Sequence, residues 1–356
     1  MKHLAPLLFL LPALAFGQAR KYSNEFLNIG VDAKAFATSN AVIASVNDVT
    51  AAYWNPAGLA NITDSWQGAA MHAEYFASIA QYDYIGFAAP IDDKSTIGIS
   101  FIRFGVDDIL NTTELIDNNG DVDYDRISKF STADYALIGS YARKSEKIEN
   151  LSYGGNVKII YRHIGKFASA IGFGFDLGAQ YKINKWEFGA NLRDVTSTFN
   201  AWNINTEELE DVFQQTGNEL PTENLELTIP SLLIGVGRQF QLNENYSLRT
   251  EVSAAFTFGG RENTLVSADF GNINPNFGVE VGYRNFVFLR GGVGNVVRAK
   301  EFTGATYYNV QPNMGIGFKY RGISIDYALS NIGSASGTLY SNIFSVKFNF
   351  ADFKSS

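Results

Sequence analysis

From about residue 69 onward, apolar and polar residues alternate in segments of roughly ten residues, and turn residues separate the segments. In the last segment, Phe344, Val346 and Phe348 occupy one set of positions, and Ser345 and Lys347 occupy the other. Successive side chains of a strand point to opposite faces, so each segment predicts a strand with one apolar and one polar face.

The pattern predicts about 14 strands, an even number within the range of bacterial outer-membrane barrels. The second to fourth strands are the least regular, because both of their faces carry apolar residues such as Ile85, Phe87, Ile102 and Ile138. The predicted strands are 66–76, 81–90, 95–105, 131–143, 151–163, 168–182, 185–193, 230–240, 246–258, 276–284, 286–295, 311–321, 322–330 and 341–351.

Two features favour a membrane barrel over a soluble sandwich. Aromatic residues stand at strand ends, where an interfacial girdle would lie: Tyr161, Tyr181, Tyr283 and Tyr320. Connections after even strands are short, whereas most after odd strands are longer, which is the pattern of periplasmic turns and outer loops. We therefore predict an all-β outer-membrane barrel over residues 66–356, surrounded by outer-membrane lipid, with both termini in the periplasm.

The polar face of such a barrel lines the lumen. Charges of both signs fall on this face, so they can pair with one another, and we expect a closed, salt-bridged lumen rather than an open transport path. The predicted lumen charges are Lys158, Arg162, Asp176, Glu187, Arg193, Arg249, Glu251, Glu280, Lys319, Asp326 and Lys347.

Composition excludes several classes of partner and site. Of 356 residues, 46% are hydrophobic and only 18% are charged, and the net charge of -8 argues against a nucleic-acid partner. The absence of cysteine excludes disulfides, Cys-based zinc sites and thiol nucleophiles. Residues 1–17 combine basic Lys2 with an apolar run from Leu4 to Phe16, which predicts a signal peptide cut before Gln18.

Residues 18–65 do not alternate like strands, yet they are too apolar for plain disorder. A 14-strand barrel leaves room in its lumen, so we predict that this segment forms a plug. It ends in "YWNPAGL", where Pro56 bars Asn55 from continuing a helix and Gly58 can take a positive φ. We predict a plug latch formed by Tyr53, Trp54, Asn55, Pro56, Gly58 and Leu59; a simple turn outside the lumen is the alternative.

The order of Phe26-Leu27, Asp32-Ala33, Ala35, Ala37, Ala41, Asp48 and the Tyr53–Leu59 motif, followed by such a barrel, resembles the PorV/PorQ family of the Bacteroidota, which is related to the FadL group. The resemblance covers essentially the whole mature chain. It implies a type IX secretion role, with docking to translocon or attachment-complex proteins and binding of the C-terminal domains of secreted cargo through the long outer loops, above all 194–229. The chain departs from many barrels by ending in "KSS" after Phe353 rather than on an aromatic residue.

The FadL relationship implies an alternative function, the uptake of hydrophobic molecules. It predicts an apolar pocket near the outer mouth, a kinked strand and a gating plug.

No catalytic, cofactor-binding or metal-binding set of residues is predicted, since His72 and His163 do not have the spacing of metal ligands. The acidic stretch Asp117–Asp125 lacks the glycine and the glutamate of a calcium loop, and it predicts a solvated outer loop. A short helix is possible from Glu207, and the glycines around Gly172 are expected to admit plug backbone.

Overall fold

The computed structural model describes residues 23–351 except 64, 77, 117–119, 211–212, 215–223, 301–303 and 331–340. The predicted signal peptide lies outside the described residues. The strands of the protein are β1 (Gln67–Tyr75), β2 (Ala80–Pro90), β3 (Ser95–Asn111), β4 (Ser128–Lys144), β5 (Leu151–Ile164), β6 (Ala168–Ile183), β7 (Trp186–Arg193), β8 (Thr198–Ile204), β9 (Leu225–Thr228), β10 (Ser231–Gln241), β11 (Tyr246–Thr257), β12 (Val266–Ala268), β13 (Gly271–Tyr283), β14 (Val287–Lys300), β15 (Thr306–Tyr320), β16 (Ile323–Ser330) and β17 (Ser341–Asn349).

Fourteen of these strands form a closed antiparallel barrel, in which each strand pairs with its neighbours along the chain. The barrel closes where β1 pairs with β17, from Gln67 opposite Asn349 to Glu74 opposite Asn342. The predicted all-β fold is therefore confirmed. Closure pairs the first strand of the barrel with the last, as a wall in contact with lipid requires.

The outer surface of the barrel is largely apolar. The aromatic residues predicted for the girdle, Tyr161, Tyr181, Tyr283 and Tyr320, all point outward and are exposed. Between the strand ends lies a band of exposed aliphatic and aromatic side chains that includes Ile85, Ile99, Phe101, Leu137, Ile159, Phe173, Val252, Leu289, Ile325 and Phe344. The exception is an outward-facing group on β1–β3, where the Asp83 carboxylate lies 2.7 Å from His72 Nδ1 and 3.6 Å from Arg103 Nη1.

Three short strands were not predicted, because they lie within the segments 194–229 and 259–275. β7 stops at Arg193, and β8 takes over its place beside β6, pairing Ala168–Phe173 with Phe199–Ile204. β9 then pairs with β8, and β12 pairs with the first residues of β13. The prediction that these two segments are only loops is wrong, since each adds strand to the long-loop end of the wall.

Residues 23–62 lie inside the barrel as a plug of short helices: 3-10 helices at Glu25–Asn28 and Pro56–Asn61, α1 (Ala33–Ala37) and α2 (Ala51–Trp54). Nearly all of their apolar side chains are buried. The plug starts at the long-loop end, where Asn24 Nδ2 donates to Thr228 Oγ1 of β9, and it leads to β1 at the short-turn end. The first described residues and Phe350 thus lie at opposite ends of the barrel. The boundaries 18–65 and the side on which each terminus lies stay predictions.

The candidate functional site: the plug and the cavities of the lumen

The latch motif is the point where the plug is fastened to itself. The Tyr53 hydroxyl donates to the Leu27 carbonyl oxygen at 2.6 Å, and Trp54 Nε1 donates to the Val31 carbonyl oxygen at 3.0 Å. The two rings meet edge to face. The aromatic pair therefore ties α2 to the start of the plug.

Strand β7 fastens the same motif to the wall. Arg193 Nη2 donates to the Tyr53 carbonyl oxygen at 3.0 Å, and its guanidinium lies 4.7 Å from the Tyr53 ring centre. Two positions earlier, Asn191 Nδ2 donates to the Trp54 carbonyl oxygen at 2.9 Å. Inward side chains of one strand thus satisfy the carbonyl groups at the end of α2, which have no partners within so short a helix.

Asn55 and Pro56 reverse the chain direction after α2. Asn55 is extended, as a residue before proline should be, and its Nδ2 donates to the carbonyl oxygens of Ile43 and Ala179. Pro56 begins the 3-10 helix. The expected positive φ of Gly58 is wrong, since it lies within this helix. Glycine is needed there because a Cβ would overlap the Val46 carbonyl oxygen.

Two glycines of the wall allow the turn at Pro56 to approach. A Cβ on Gly154 of β5 would lie 2.7 Å from the Pro56 carbonyl carbon, and one on Gly178 of β6 would lie 2.8 Å from Pro56 Cδ. The neighbouring Gly172 and Gly174 serve another purpose, since they face Asn200 and Thr198. They make room for the inward step from β7 to β8 rather than for the plug, which corrects the expectation for Gly172.

A buried charge cluster binds the other side of the plug to β17. Lys347 Nζ lies 2.6 Å from Asp32 and 3.2 Å from Asp48, both in the plug, and 3.7 Å from Asp326 of β16. Burial alone would raise the pKa of the Asp48 carboxyl, but Lys347 and Lys34 hold that pKa below its ordinary value. Asp48 is therefore charged at neutral pH and contributes to plug binding.

A second cluster pins the break between β7 and β8. Lys158 Nζ lies 2.7 Å from Asp176 and 2.5 Å from Asp194, and all three side chains are buried. Asp194 has a positive φ, and the Thr198 hydroxyl donates to its carboxylate. The cluster holds residues 194–197 on the lumen side of the wall. β8 can therefore continue the pairing with β6 where β7 ends.

All eleven predicted lumen charges face the interior. Most are paired: Arg162 with Asp134, Glu187 with Lys182, and Glu280 with Arg290. Glu251 accepts from the plug amide of Ala44, Arg249 donates to the Ser45 carbonyl oxygen, and Lys319 lines a cavity described below. The prediction missed the partners Asp32, Asp48, Asp134, Asp194 and Arg290. Arg290 alternates with Gly292 and Gly294, a pattern that could have identified it.

The lumen has two chemically different walls. The charges and amides that bind the plug lie mainly on β5–β7, β11, β15 and β17, whereas the opposite wall, β1–β4, is mostly apolar. The apolar wall packs against Leu27, Val31 and Tyr53 of the plug. Its inward side chains include Ala69, Met71, Ala73, Tyr75, Tyr82, Tyr84, Ala88, Ile102, Ala136 and Ile138.

The plug separates two cavities. The cavity at the long-loop end, called here the outer cavity, measures about 460 Å³ and rests on plug residues that include Phe36, Ile43 and Trp54. The inner cavity, at the short-turn end, measures about 380 Å³ and is lined mainly by charged and amide side chains such as Lys34, Arg249 and Lys319. None of the described residues that line the outer cavity also lines the inner one, and the plug lies between the two.

The wall beside the outer cavity is parted. β13 and β14 pair only between Phe277 opposite Val293 and Tyr283 opposite Val287. Above that level β14 pairs with β15 and bulges between Gly294 and Val297, while β13 stays with β11. The segment that carries β12 spans the top of the parting, since β12 pairs with Gly271–Ile273 of β13 and the Arg298 amide of β14 donates to the Asn263 carbonyl oxygen. Asn274, Asn276 and Gly294 border this parting and line the outer cavity. A second bulge, between Val106 and Ile109 of β3, lies where the pairing of β3 with β2 ends, and beyond it β3 stays paired with β4.

The described residues contain no group of three or more His, Asp or Glu side chains placed to hold a metal ion. His72 and His163 point outward, away from the lumen. Residues 117–119 of the acidic loop and 211–212 and 215–223 of the possible helix from Glu207 lie outside the described residues. Within the described part of the chain, no helix has the length and apolarity needed to cross a membrane.

No protein-family model matches the chain, and no curated protein matches it significantly. Among solved structures, the monoaromatic hydrocarbon channel CymD has a TM-score of 0.55 at 10% identity, over 90% of this chain and 98% of CymD. The toluene transporter TodX of P. putida has a TM-score of 0.53 at 13% identity, over 90% of this chain and 99% of TodX. A FadL homologue of Pseudomonas aeruginosa matches at 15% identity over 91% and 98% of the two chains, with a TM-score of 0.49. At these identities the likeness to CymD and TodX shows that the chain has the fold of these barrels.

Proposed function

We propose that the protein is a non-enzymatic outer-membrane channel for small hydrophobic compounds, which enter from the long-loop side and leave sideways through the wall. The parted wall beside the outer cavity carries this proposal, because it gives the cavity a route that avoids the plug. The size of the outer cavity is that of small-molecule binding sites. The transport of toluene and monoaromatic hydrocarbons named for two barrels of similar fold supports the same substrate class.

The lumen charges do not oppose this function. Most of them bind the plug or pin the β7–β8 break, and the parting is bordered by amides and glycine instead. In this proposal the plug blocks ions and water below the outer cavity, while the compound moves above it. Charges that hold the plug and an uncharged path beside them are therefore compatible.

Type IX secretion, which the sequence resemblance implies, is the second candidate function. Two features support docking to translocon or attachment-complex proteins and to the C-terminal domains of cargo. The β8–β9 hairpin extends the wall at the long-loop end, and Leu225 and Leu227 of β9 are exposed on it. The outward ionic group of His72, Asp83 and Arg103 would be costly against lipid, and a partner protein would cover it.

Filling the parted wall should reduce uptake. The side chain of a Gly294→Phe variant would enter the parting between β13 and β14, where the nearest obstacle is the flexible end of Asn276. Gly291→Phe is the matched control, since no atom lies closer than 3.9 Å to its Cβ position. We expect toluene uptake by proteoliposomes to fall about tenfold with Gly294→Phe and to stay unchanged with the control. Equal uptake by both variants and the natural protein would exclude this route.

Removing the Lys347 charge should loosen the plug. Lys347→Met leaves Asp32 and Asp48 buried without their cation, which should weaken plug binding by about 3 kcal/mol. Asp48 binds the plug as a carboxylate, so the natural protein should lose plug stability only as the pH falls below about 4. In the variant, burial favours the neutral acids, so the plug should bind better at about pH 4 than at pH 7.

Planar-bilayer conductance measures this change, and Lys94→Met, in an exposed turn pair, is the control. The Lys347→Met channel should open often at pH 7 and less often in acid. A variant that conducts no more than the natural protein at pH 7 would show that this cluster does not hold the plug.

The secretion function has its own test. Replacing residues 204–223 by an Asn-Gly turn removes the tip of the longest connection, part of which lies outside the described residues. It leaves Thr198–Asn203 and Leu225–Thr228 as a hairpin, whereas removal of residues 200–225 would cut into the wall. If the tip binds the secretion proteins, pull-down from native outer membrane should lose them while the barrel stays heat-modifiable on gels. Unchanged co-purification would contradict docking through this tip.

A further inference from the structure

The outer cavity is bordered by two copies of one sequence pattern. Residues 272–285 read NINPNFGVEVGYRN and residues 309–322 read NVQPNMGIGFKYRG. The copies lie on β13 and β15, the two neighbours of β14. Their alternating positions turn Asn274 and Asn276 of the first copy, and Gln311 and Asn313 of the second, toward the outer cavity. The repeat therefore places a row of amides on one side of that cavity.

Two glycines in the wall between the two copies allow the plug to approach this row of amides. Gly292 and Gly294 of β14 face inward, and a Cβ on Gly292 would overlap the backbone at Thr38–Ser39. The plug loop consequently lies against β14, and Asn40 joins the amides that line the cavity. The amides come from two strands and the plug, and together they form one surface.

Three of these amides have no hydrogen-bond partner among the residues that the structure describes. The side chains of Asn40, Asn274 and Asn276 make no hydrogen bond to any described residue, and the amide oxygens of Asn40 and Asn274 are inaccessible to solvent. In contrast, Asn313 Nδ2 donates to Ser39 Oγ at 2.7 Å, and Gln311 Nε2 donates to Ser330 Oγ at 3.2 Å. Buried amides are normally paired, so unpaired ones beside a cavity point to a ligand that completes them.

The opposite side of the cavity is apolar. It is formed by Ile29 of the plug, Leu233 of β10 and Ile229, above Phe36 and Ile43. The charged groups of the lining bond to other groups of the protein. Arg193 donates to plug carbonyl oxygens and Asp194 accepts from Lys158, while the carboxylates of Glu25 and Glu262 accept from Asn28 Nδ2 and Thr257 Oγ1. The cavity thus offers a ligand an apolar surface and a row of neutral donors and acceptors.

We propose that the outer cavity selects neutral amphipathic compounds, whose hydroxyl or carbonyl groups bond to the Asn40–Asn274–Asn276 amides while their apolar part lies on Ile29 and Leu233. An amide can donate and accept, so it suits an uncharged hydroxyl better than a carboxylate or a bare hydrocarbon. This inference rests on the proposed channel function and narrows its substrate class.

Three probe compounds, each a benzene ring with one substituent, test whether the cavity prefers a hydrocarbon, a neutral hydroxyl or a carboxylate: toluene, benzyl alcohol and benzoate. Their dissociation constants are measured by saturation-transfer NMR on the full protein in lipid nanodiscs without detergent, with empty nanodiscs subtracted. Benzyl alcohol should bind about fivefold more tightly than toluene for one net hydrogen bond gained, and benzoate should bind most weakly.

Variants assign the preference to the amide row. Asn274→Leu with Asn276→Leu should abolish the advantage of benzyl alcohol over toluene, whereas Asn203→Leu, on the exposed face of β8, should preserve it. A second variant, Asn276→Asp, places a carboxylate in the row and should make benzylammonium bind more tightly than benzyl alcohol. Heat-modifiable migration on gels confirms that each variant contains a folded barrel.

The outcomes separate this inference from the channel function. If toluene binds the natural protein as tightly as benzyl alcohol, or if the double variant retains the preference, the amide row does not select the substrate, although the channel can still stand. If Asn276→Asp gives benzylammonium no advantage, the row does not contact the ligand substituent. Binding of none of the probes would overturn the selectivity and remove the support for the channel as well.

Discussion

The structure depends on one constraint: a backbone segment enclosed in a barrel must find partners for its polar groups without water. A 14-strand barrel encloses more space than its own side chains fill, and residues 23–62 occupy that space. Short helices satisfy only part of their own backbone, so the wall supplies the remaining partners. The inward side chains that do so include Asn156 to Ala52, Gln180 to Val46, Asn191 to Trp54, Arg193 to Tyr53 and Glu251 to Ala44.

This constraint explains why the barrel interior is uneven. Where plug backbone meets the wall, the wall carries amides, charges and glycines; where plug side chains meet it, on β1–β4, the wall is apolar. The same division leaves the plug held on its polar side mainly by hydrogen bonds and ion pairs. On its apolar side it is held mainly by packing, with a few hydrogen bonds such as those from the Val49 amide to Gln67 and from the Thr96 hydroxyl to the Ile62 carbonyl oxygen. Compounds that stay in the outer cavity need not break either set of contacts, and for this reason a fixed plug and a sideways path can exist in one barrel.

The strand count, the direction of the apolar face and the lumen charges could be read from alternation, because lipid contact enforces it in every wall strand. The reason for the irregular pattern of β2–β4 could not be predicted from alternation. Tyr82, Tyr84 and Ile102 make the lumen face of these strands apolar because the plug packs against it. β8, β9 and β12 were missed because their pairing depends on the break after Arg193 and on the parting of β13 from β14. Neither is local in sequence. The plug partners of Lys347, Asp32 and Asp48, lie about 300 residues away, so no spacing pattern could identify them.

Amide hydrogen exchange of the protein in lipid nanodiscs tests the central claim most directly. If wall side chains satisfy the plug backbone, peptides from residues 33–59 should exchange about a hundredfold or more slowly than the exposed turn at 145–150. The slowest amides should include that of Ala44, which donates to Glu251 at 2.8 Å. Exchange of residues 33–59 as fast as that of the turn would contradict a plug held inside the barrel.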